Sequence, residues 1–411
     1  MKTKSNLWTK DFTIITAGTV VSLLGNSIAG FAMGLLVLDL TGSTLLYALY
    51  MFLYTAPRII MPIISGPLLD KFSRKKAIYM LDFLSAAMYA LFAAVLFFGE
   101  FQFWILAVGC VVLGCVDSVY RVAYDSFYPM LITEGNYSKA YSVSSVLETL
   151  TAVMVPVSAV LYNTIGIAPL FLANAISFFI AAVMETRIEK KEEYTETRTE
   201  RFTLNRYKKD FMEGVNYLKA EKGLWAITLY FAFSSMAGAA SGVIGLPYFK
   251  SAFAPHGEYV FICVWGCAII GRMIGGSIYY KFKWPASKKF SIALFVYAAT
   301  CLIEGTYLFT PVKVMMVLCF LSGVLGVTSY NIRISATQSY VPDERKGRFN
   351  GMFEMMMTLG AMIGQLTSGA MTVVVRERIV LSIFMGINFL AALWIIGRNK
   401  SHVAPIYNRH A

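Results

Sequence analysis

The sequence predicts an all-α membrane protein with twelve transmembrane helices arranged as two six-helix bundles. Hydrophobic residues make up 57% of its 411 residues and charged residues only 15%, against about 45–50% and about 25% in soluble domains. About twelve apolar runs are each long enough to cross a hydrocarbon core of about 30 Å. The positive charges between these runs fall mostly on one predicted side, as they do in inserted membrane proteins.

The apolar runs give the element order. A polar linker at 187–222, with ten basic residues, separates a first bundle at 1–186 from a second at 223–411. Within the linker, 187–203 is too polar to fold alone, and the apolar residues of 204–218 share one face of a predicted amphipathic surface helix. The predicted spans are 12–38, 45–69, 77–98, 102–124, 140–162, 168–186, 224–249, 259–280, 290–309, 312–334, 349–374 and 379–397.

The distribution of lysine and arginine predicts the topology. Of 36 basic residues, 28 fall on the side that carries both termini and the linker, four fall on the other side, and four lie inside predicted helices. We therefore expect a multi-pass protein of the cell membrane with both termini in the cytoplasm. The net charge of +12 is explained by this topology, and we expect no nucleic-acid partner.

The two halves resemble each other. Gly66 to Lys76, after the second span, has a faint counterpart in Gly276 to Phe282, after the eighth. Arg121 precedes Pro129 by eight residues, and Arg333 precedes Pro342 by nine. Two repeated bundles that enclose a central cavity are typical of transporters that work by alternating access.

A loop motif adds a family resemblance. Gly66-x-Leu68-x-Asp70-Lys71-x-x-Arg74-Lys75 resembles the loop signature of the major facilitator superfamily, with Ser73 where that pattern has glycine. Within that superfamily the chain resembles the branch of macrolide-efflux proteins and siderophore exporters. The segments that carry the second resemblance are Leu40-Thr-Gly-Ser43, Tyr128-Pro129 and 341–348.

Acidic residues in the fourth and fifth spans are candidates for proton coupling. Asp117, Arg121 and Asp125 are spaced four residues apart and share one helix face, which the resemblance places along the cavity. Glu148 lies nine residues past Lys139, about 13 Å into its helix, and a carboxyl group there could exchange a proton. The alternatives are a structural ion network for the first set and a hydrogen-bonded, protonated side chain for Glu148.

The loop motif is a candidate gate. The resemblance implies that Asp70 lies under the N-terminus of the eleventh span, where a carboxylate favours the unpaired N–H groups. Lys71, Arg74 and the loop around Gly66 would help to close the cytoplasmic side. The alternative for the basic residues is that they only fix the orientation in the membrane.

Other polar residues inside the predicted spans could line the cavity or join the bundles. Arg58 and Arg272 could each pair with an acid across the interface between the bundles, and the sequence does not identify the partner. Glu354 is either a gate residue or is neutralised by nearby loop cations, Asn26 is either a cavity donor or an interhelical contact, and Glu304 is expected at the membrane interface. The candidate cavity or inter-bundle set is Asn26, Arg58, Arg272, Arg333 and Glu354.

The sequence therefore predicts a secondary active exporter of an amphiphilic small molecule, driven by exchange for protons. The alternatives are a proton-coupled importer and a membrane receptor that does not transport. We find no P-loop, metal-ligand spacing or Ser-His-Asp set, so we expect no enzyme activity, no cofactor and no metal. The expected partners are the substrate, protons and membrane lipid, and the expected state is a monomer.

Overall fold

The computed structural model describes residues 7–69, 72–99, 102–133, 136–190, 192, 212–213, 215–281 and 285–408. Seven helices form the first half of the described chain. They are α1 (Lys10–Thr41), α2 (Thr44–Thr55), α3 (Pro57–Leu69), α4 (Arg74–Phe98), α5 (Phe103–Phe127), α6 (Tyr137–Ile165) and α7 (Ile167–Glu185).

Seven further helices follow the linker. They are α8 (Lys222–Ala252), α9 (Gly257–Lys281), α10 (Lys289–Thr306), α11 (Val312–Tyr340), α12 (Asp343–Met371), α13 (Glu377–Ala391) and α14 (Lys400–Tyr407). A six-residue π-helical segment, Ala392–Gly397, continues directly from α13 and precedes α14.

The predicted spans match these helices with two differences. The predicted run 45–69 is two helices, because Pro57 starts α3 and a proline disfavours helical backbone in the residue before it. The sequence analysis also missed α14, which is short and contains Pro405.

Ten helical segments of the described chain are long and apolar enough to cross a membrane. Two predicted spans, α6 and α12, are 29 residues long but are not among those ten. The prediction of helices rich in apolar residues is confirmed. The number twelve, and its division into two bundles of six, stays a prediction.

The chain divides into two compact units. Unit 1 contains residues 1–42 and 53–201, and unit 2 contains residues 43–52 and 202–411. The same helix pairings occur within each unit. In unit 1, α1 packs on α6 and α7, α4 packs on α5 and α7, and α3 packs on α5. In unit 2, α8 packs on α12 and α13, α10 packs on α11 and α13, and α9 packs on α11. Each pairing in unit 2 is the expected counterpart of one in unit 1, which agrees with the internal repeat.

Small residues allow some of these helices to approach closely. A Cβ atom on Gly360 of α12 would lie 2.2 Å from the carbonyl oxygen of Ala232 in α8, and one on Gly364 would lie 2.1 Å from that of Met236. Glycines four residues apart on one face let helix backbones meet without a side chain between them. The α8–α12 contact therefore depends on these two positions.

The end of the linker is helical and is bound to unit 2. Residues 215–220 are helical, Arg348 forms an ion pair of 2.9 Å with Glu213, and the Tyr340 hydroxyl donates to Glu221 at 2.8 Å. Leu218 is buried in the same apolar cluster as Tyr230 and Phe353. These contacts agree with the predicted amphipathic character of this end of the linker, while 204–211 lies outside the described residues.

Candidate functional site

Unit 1 contains a small polar cavity of about 100 Å³. Five helices contribute to its wall, because α1, α4, α5 and α7 surround it and the end of α2 supplies Tyr54. The polar and aromatic side chains in the wall include Asn26, Tyr54, Asp82, Tyr89, Asp117 and Tyr120.

Asp117 of α5 is paired with Arg58 of α3. The Arg58 Nη2 atom donates to Asp117 Oδ2 at 3.1 Å, and the guanidinium lies over the Tyr54 ring at 5.5 Å. The close packing of α3 on α5 brings the two together, since a Cβ atom on Gly114 would lie 3.1 Å from Cγ of Pro57, the first residue of α3. The partner of Arg58 therefore lies within unit 1, whereas the sequence also allowed one across the bundle interface.

The other predicted coupling residues lie apart from this pair. Arg121 follows Asp117 by one helical turn but is exposed, and Asp117 takes its ionic partner from α3 rather than from Arg121. Asp125, one turn further, is also exposed. Glu148 is part of α6, but its side chain lies outside the described residues. Its predicted role in coupling stays a prediction.

Asn26 lies in the cavity wall, where its amide oxygen accepts a hydrogen bond of 2.9 Å from the Tyr89 hydroxyl. Tyr89 is buried and stacks on Phe178 at a centroid distance of 5.8 Å. The side chain of Asn26 therefore both faces the cavity and joins α1 to α4, so the two alternatives for this residue are compatible.

Unit 2 contains a larger cavity of about 420 Å³. Its wall combines tyrosine and phenylalanine rings with two arginines and two glutamates, and three of the predicted cavity residues meet there, namely Arg272, Arg333 and Glu354. The rings in the wall are Tyr230, Phe231, Tyr297 and Tyr330. A cavity that offers apolar rings and both signs of charge suits an amphiphilic ligand.

Arg333 of α11 is surrounded by aromatic rings. Its guanidinium carbon lies 5.2 Å from the centroids of Phe231 and Tyr330 and 4.7 Å from that of Phe353. These contacts are within the range of cation–π attraction. Its buried Nε atom has no hydrogen-bond partner among the described residues. The surrounding rings therefore leave this N–H donor unsatisfied.

The acids of this cavity have different surroundings. Glu304 of α10 accepts a hydrogen bond of 2.6 Å from the Ser322 hydroxyl of α11 and faces the cavity, and its expected position at the membrane interface stays a prediction. Arg272 and Glu354 line the cavity and are exposed. Two further wall atoms, Thr300 Oγ1 and Asn388 Oδ1, are buried without a partner in the described chain.

The candidate gate is described only in part. Asp70 and Lys71 lie outside the described residues, and Gly66 lies in α3. Arg74 begins α4, and its Nη1 atom donates to the Ser126 carbonyl at the end of α5 at 3.2 Å. This contact of Arg74 stabilises unit 1, and the gate itself stays a prediction.

The start of the linker caps α4. The Glu192 carboxylate accepts hydrogen bonds from the Ser73 hydroxyl at 2.6 Å and from the Arg74 and Lys75 N–H groups at 2.8 and 3.1 Å. An acid at a helix N-terminus satisfies unpaired donors and favours the helix dipole. The serine in place of the family's glycine thus adds a donor for a linker carboxylate.

A second linker contact joins α1. Lys10 is bonded to Glu189, and the Glu189 N–H donates to Asp11 Oδ1 at 2.9 Å. The hydrogen bond and the charge of Lys10 lower the pKa of Glu189 below its usual value. The ion pair is therefore intact at neutral pH and is lost only as the pH falls through that lowered pKa.

Sequence reasoning missed the most buried acids of the described chain. Asp82 of α4 is 1% exposed and Glu185 of α7 is 0% exposed, and the two carboxyl groups are in contact. The signal in the sequence was Asp82, an acidic residue inside the predicted span 77–98. The search for acids beside intramembrane arginines passed over it.

Comparison with known proteins decides the family. The family model described as the Major Facilitator Superfamily matches residues 15–364 and, again, 283–409. The chain belongs to the Major Facilitator Superfamily. The resemblance seen in the loop motif is thereby confirmed, and with ten apolar helices in the described part of the chain the protein is a multi-pass membrane protein of a transporter family.

Curated relatives include efflux proteins. Macrolide efflux protein A of Streptococcus pyogenes is 24% identical over 376 residues, which are 89% of this chain and 90% of that protein. An uncharacterized MFS-type transporter, YkuC of Bacillus subtilis, is 27% identical over 293 residues, 67% of this chain and 66% of its own length.

Solved structures share the fold. A bacterial homologue of the iron transporter ferroportin in its inward-facing state gives a TM-score of 0.70 at 15% identity, with 97% of this chain and 98% of that chain covered. A point mutant of the nucleoside transporter NupG gives 0.65 at 13% identity, with coverage of 94% and 98%. These similarities show the fold alone.

Proposed function

We propose that this superfamily member is a secondary active exporter of an amphiphilic small molecule, such as a drug, a macrolide or a siderophore-like compound, driven by proton exchange. The observation that carries the proposal is the ring-lined, charged cavity of unit 2, in a chain whose curated relatives include macrolide efflux proteins over 89% of its length.

The cavity wall suits such a ligand. Its volume of about 420 Å³ falls in the range of about 300–1,000 Å³ that small-molecule sites occupy. The rings of Tyr230, Phe231 and Tyr297 offer apolar contact area, and Arg333 and Glu354 offer one cation and one anion. A compound with an apolar body and one polar or charged group would use both parts of the wall.

Coupling to protons is assigned to acids of unit 1. Glu148, and Asp117 with Arg121, are the coupling residues that the sequence predicts. Asp117 is bonded to Arg58 in the described structure, so a role in coupling would require that ion pair to open. Asp70, Lys71, Arg74 and Gly66 form the proposed cytoplasmic gate of a monomer with both termini in the cytoplasm.

The test is solute flux in inside-out membrane vesicles with an imposed pH gradient, using macrolides, lipophilic cations and siderophores as probes. We expect accumulation of at least one of the three classes, abolished when a protonophore collapses the gradient. Uptake into right-side-out vesicles alone would instead establish an importer. Saturable binding with no flux in either orientation would establish the receptor alternative.

A pair of variants tests the cavity. Replacing Arg333 with Gln removes the caged cation, and we expect about a tenfold loss of export, which corresponds to ~1.4 kcal/mol. Arg398→Gln is the matched control, because Arg398 also lies over a ring, that of Trp394 at 5.6 Å, but is not part of the cavity wall. Equal export by both variants and the wild type would remove the cavity from the proposal.

A further inference from the structure

The buried acids of unit 1 lie where three helices meet. Asp82 is eight residues past Arg74, the first residue of α4, which places it about 12 Å along the helix. Glu185 is the last residue of α7, and α7 packs on both α4 and α1. On the α1 side, a Cβ atom on Gly18 would lie 3.1 Å from Glu185 Oε1, so α1 covers the pair closely at a residue without a side chain.

The two carboxyl groups have no cation as a partner in the described chain. Asp82 Oδ2 and both Glu185 carboxyl oxygens are buried, and none accepts a hydrogen bond from a described donor. The titratable groups that face the pair are the hydroxyls of Tyr120 and Tyr124, both on α5. From α1 the pair is faced by Gly18, which is neutral. The cavity residue Asp117 is bonded to Arg58, so that cation already has an acid as its partner.

Two ionised carboxylates that are in contact and almost entirely buried would be strongly unfavourable. Burial removes their hydration, and like charges at short distance repel each other. A proton on one of the two removes the repulsion, and it turns that carboxyl group into the donor that the other lacks. One shared proton therefore satisfies the geometry that the structure shows.

The second unit has a neutral pair of side chains in the first half of α10. Tyr297 is eight residues past Lys289, the first residue of α10, and α10 is the counterpart of α4. Its hydroxyl is hydrogen-bonded to the Tyr407 hydroxyl at 2.9 Å. A neutral, satisfied hydroxyl pair stabilises this part of unit 2, whereas unit 1 carries a pair that is incomplete without a proton.

One member of the pair reaches the cavity. Asp82 lies in the wall of the unit 1 cavity together with Asp117 and Asn26, and Glu185 lies behind it, outside the wall. A proton bound between the two acids thus has a polar exit on the Asp82 side. In this transfer the O–H bond of the carboxyl group breaks and a water molecule in the cavity accepts the proton. Water is the only other reactant that the step needs.

We propose that Asp82 and Glu185 form a proton-binding dyad, which holds one proton between them and exchanges it through the unit 1 cavity during transport. The dyad rests on the proposed function for its role in transport, and it adds a proton site to the predicted coupling residues Glu148 and Asp117.

The first experiment tests the bound proton without any transported compound. Infrared spectra of the purified full-length protein at neutral pH should contain the C=O band of a protonated carboxylic acid, shifted by exchange into D₂O. The band should shift in Asp82→Asn and in Glu185→Gln, because one buried acid remains in each, be lost in the double variant, and be unchanged in Asp125→Asn, a variant of an exposed acid. Absence of the band from the wild type would overturn the dyad even if the two variants do not fold.

The second experiment tests the role in transport. In proteoliposomes, Asp82→Asn and Glu185→Gln should lose accumulation driven by a pH gradient and keep downhill counterflow, while the exchanged pair Asp82→Glu with Glu185→Asp should restore accumulation. Unchanged accumulation in both single variants would overturn the role of the dyad. Accumulation driven by sodium without a pH gradient, together with no carboxylic acid band, would assign the site to a sodium ion and overturn the proton.

These readouts separate the two proposals. If no compound is transported in either direction, the proposed function fails, and the infrared comparison still decides whether the dyad holds a proton. If export is driven by protons but the band is absent, the dyad fails and the proposed function stands.

Discussion

The ion pair of Arg58 and Asp117 is partly shielded, since the side chains are 38% and 25% exposed. Its contribution should lie between that of a surface pair and that of a buried pair. We expect Asp117→Asn to lower the free energy of unfolding by ~1–2 kcal/mol, because the half-buried guanidinium of Arg58 would then lack its ionic partner. The measurement is the thermal unfolding midpoint of the purified protein in detergent.

A double-mutant comparison identifies the partner. Arg58→Gln combined with Asp117→Asn should be less destabilised than the sum of the two single variants, since no unpaired charge remains. Arg121→Gln serves as the control on the same helix, with a midpoint close to that of the wild type. A larger effect of Arg121→Gln than of Arg58→Gln would show that Asp117 pairs along α5 after all.

The sequence could not predict which side chains of the site pair with each other. Helical spacing brings Arg121 and Asp117 onto one face, but Asp117 pairs with Arg58, 59 positions away, because α3 packs on α5 where Pro57 meets Gly114. Asp82 and Glu185 are 103 positions apart and meet only because α4 packs on α7. The membership of Arg272, Arg333 and Glu354 in one cavity wall agrees with their selection as a cavity set.

At the scale of helices, the α8–α12 contact gives a direct test of packing. An alanine at Gly360 or Gly364 would place a methyl group about 2 Å from a backbone carbonyl oxygen of α8, which no side-chain movement can relieve. We expect each variant to lose ~1–3 kcal/mol of stability through overpacking, measured as a lower unfolding midpoint in detergent.

Gly351 is the matched control for this comparison. It lies in the same helix, and a Cβ atom there would meet nothing within 4 Å. Gly351→Ala should therefore be neutral or slightly stabilising, because alanine has the higher helix propensity. Equal unfolding midpoints for all three variants would mean that α8 and α12 do not approach as closely as described.

The helices themselves were largely predictable, because a run of about twenty apolar residues has few alternatives in a membrane. The exceptions have local causes. Pro57 divides the second run into α2 and α3, and α14 is an eight-residue helix whose buried residues Val403, Ile406 and Tyr407 join the core of unit 2. No periodicity rule detects so short a helix after a π-helical turn.

At the scale of the whole molecule, the internal repeat explains why the two halves of the chain have the same helix pairings. Corresponding helices meet in both units, as in α4 with α7 and α10 with α13, although the side chains at these contacts differ. Unit 1 carries a carboxyl pair between α4 and α7, whereas in unit 2 a tyrosine pair joins α10 to α14. The repeat preserves the helix pairings, whereas the polar side chains at the contacts differ between the two units.

The orientation of the whole chain is the last prediction, and it follows from the 28 basic residues that the sequence assigns to one side against four on the other. Because positively charged loops are retained in the cytoplasm, Lys208→Cys in the linker and His402→Cys in the tail should resist a membrane-impermeant thiol reagent in intact cells. Ala254→Cys, between α8 and α9, should be labelled above the baseline set by the six native cysteines. Permeabilised cells provide the control, in which all three variants should react. Labelling at 208 and 402 with protection at 254 would invert the topology, and it would place the Glu192 cap of α4 and the Asp82–Glu185 pair near the opposite face of the membrane.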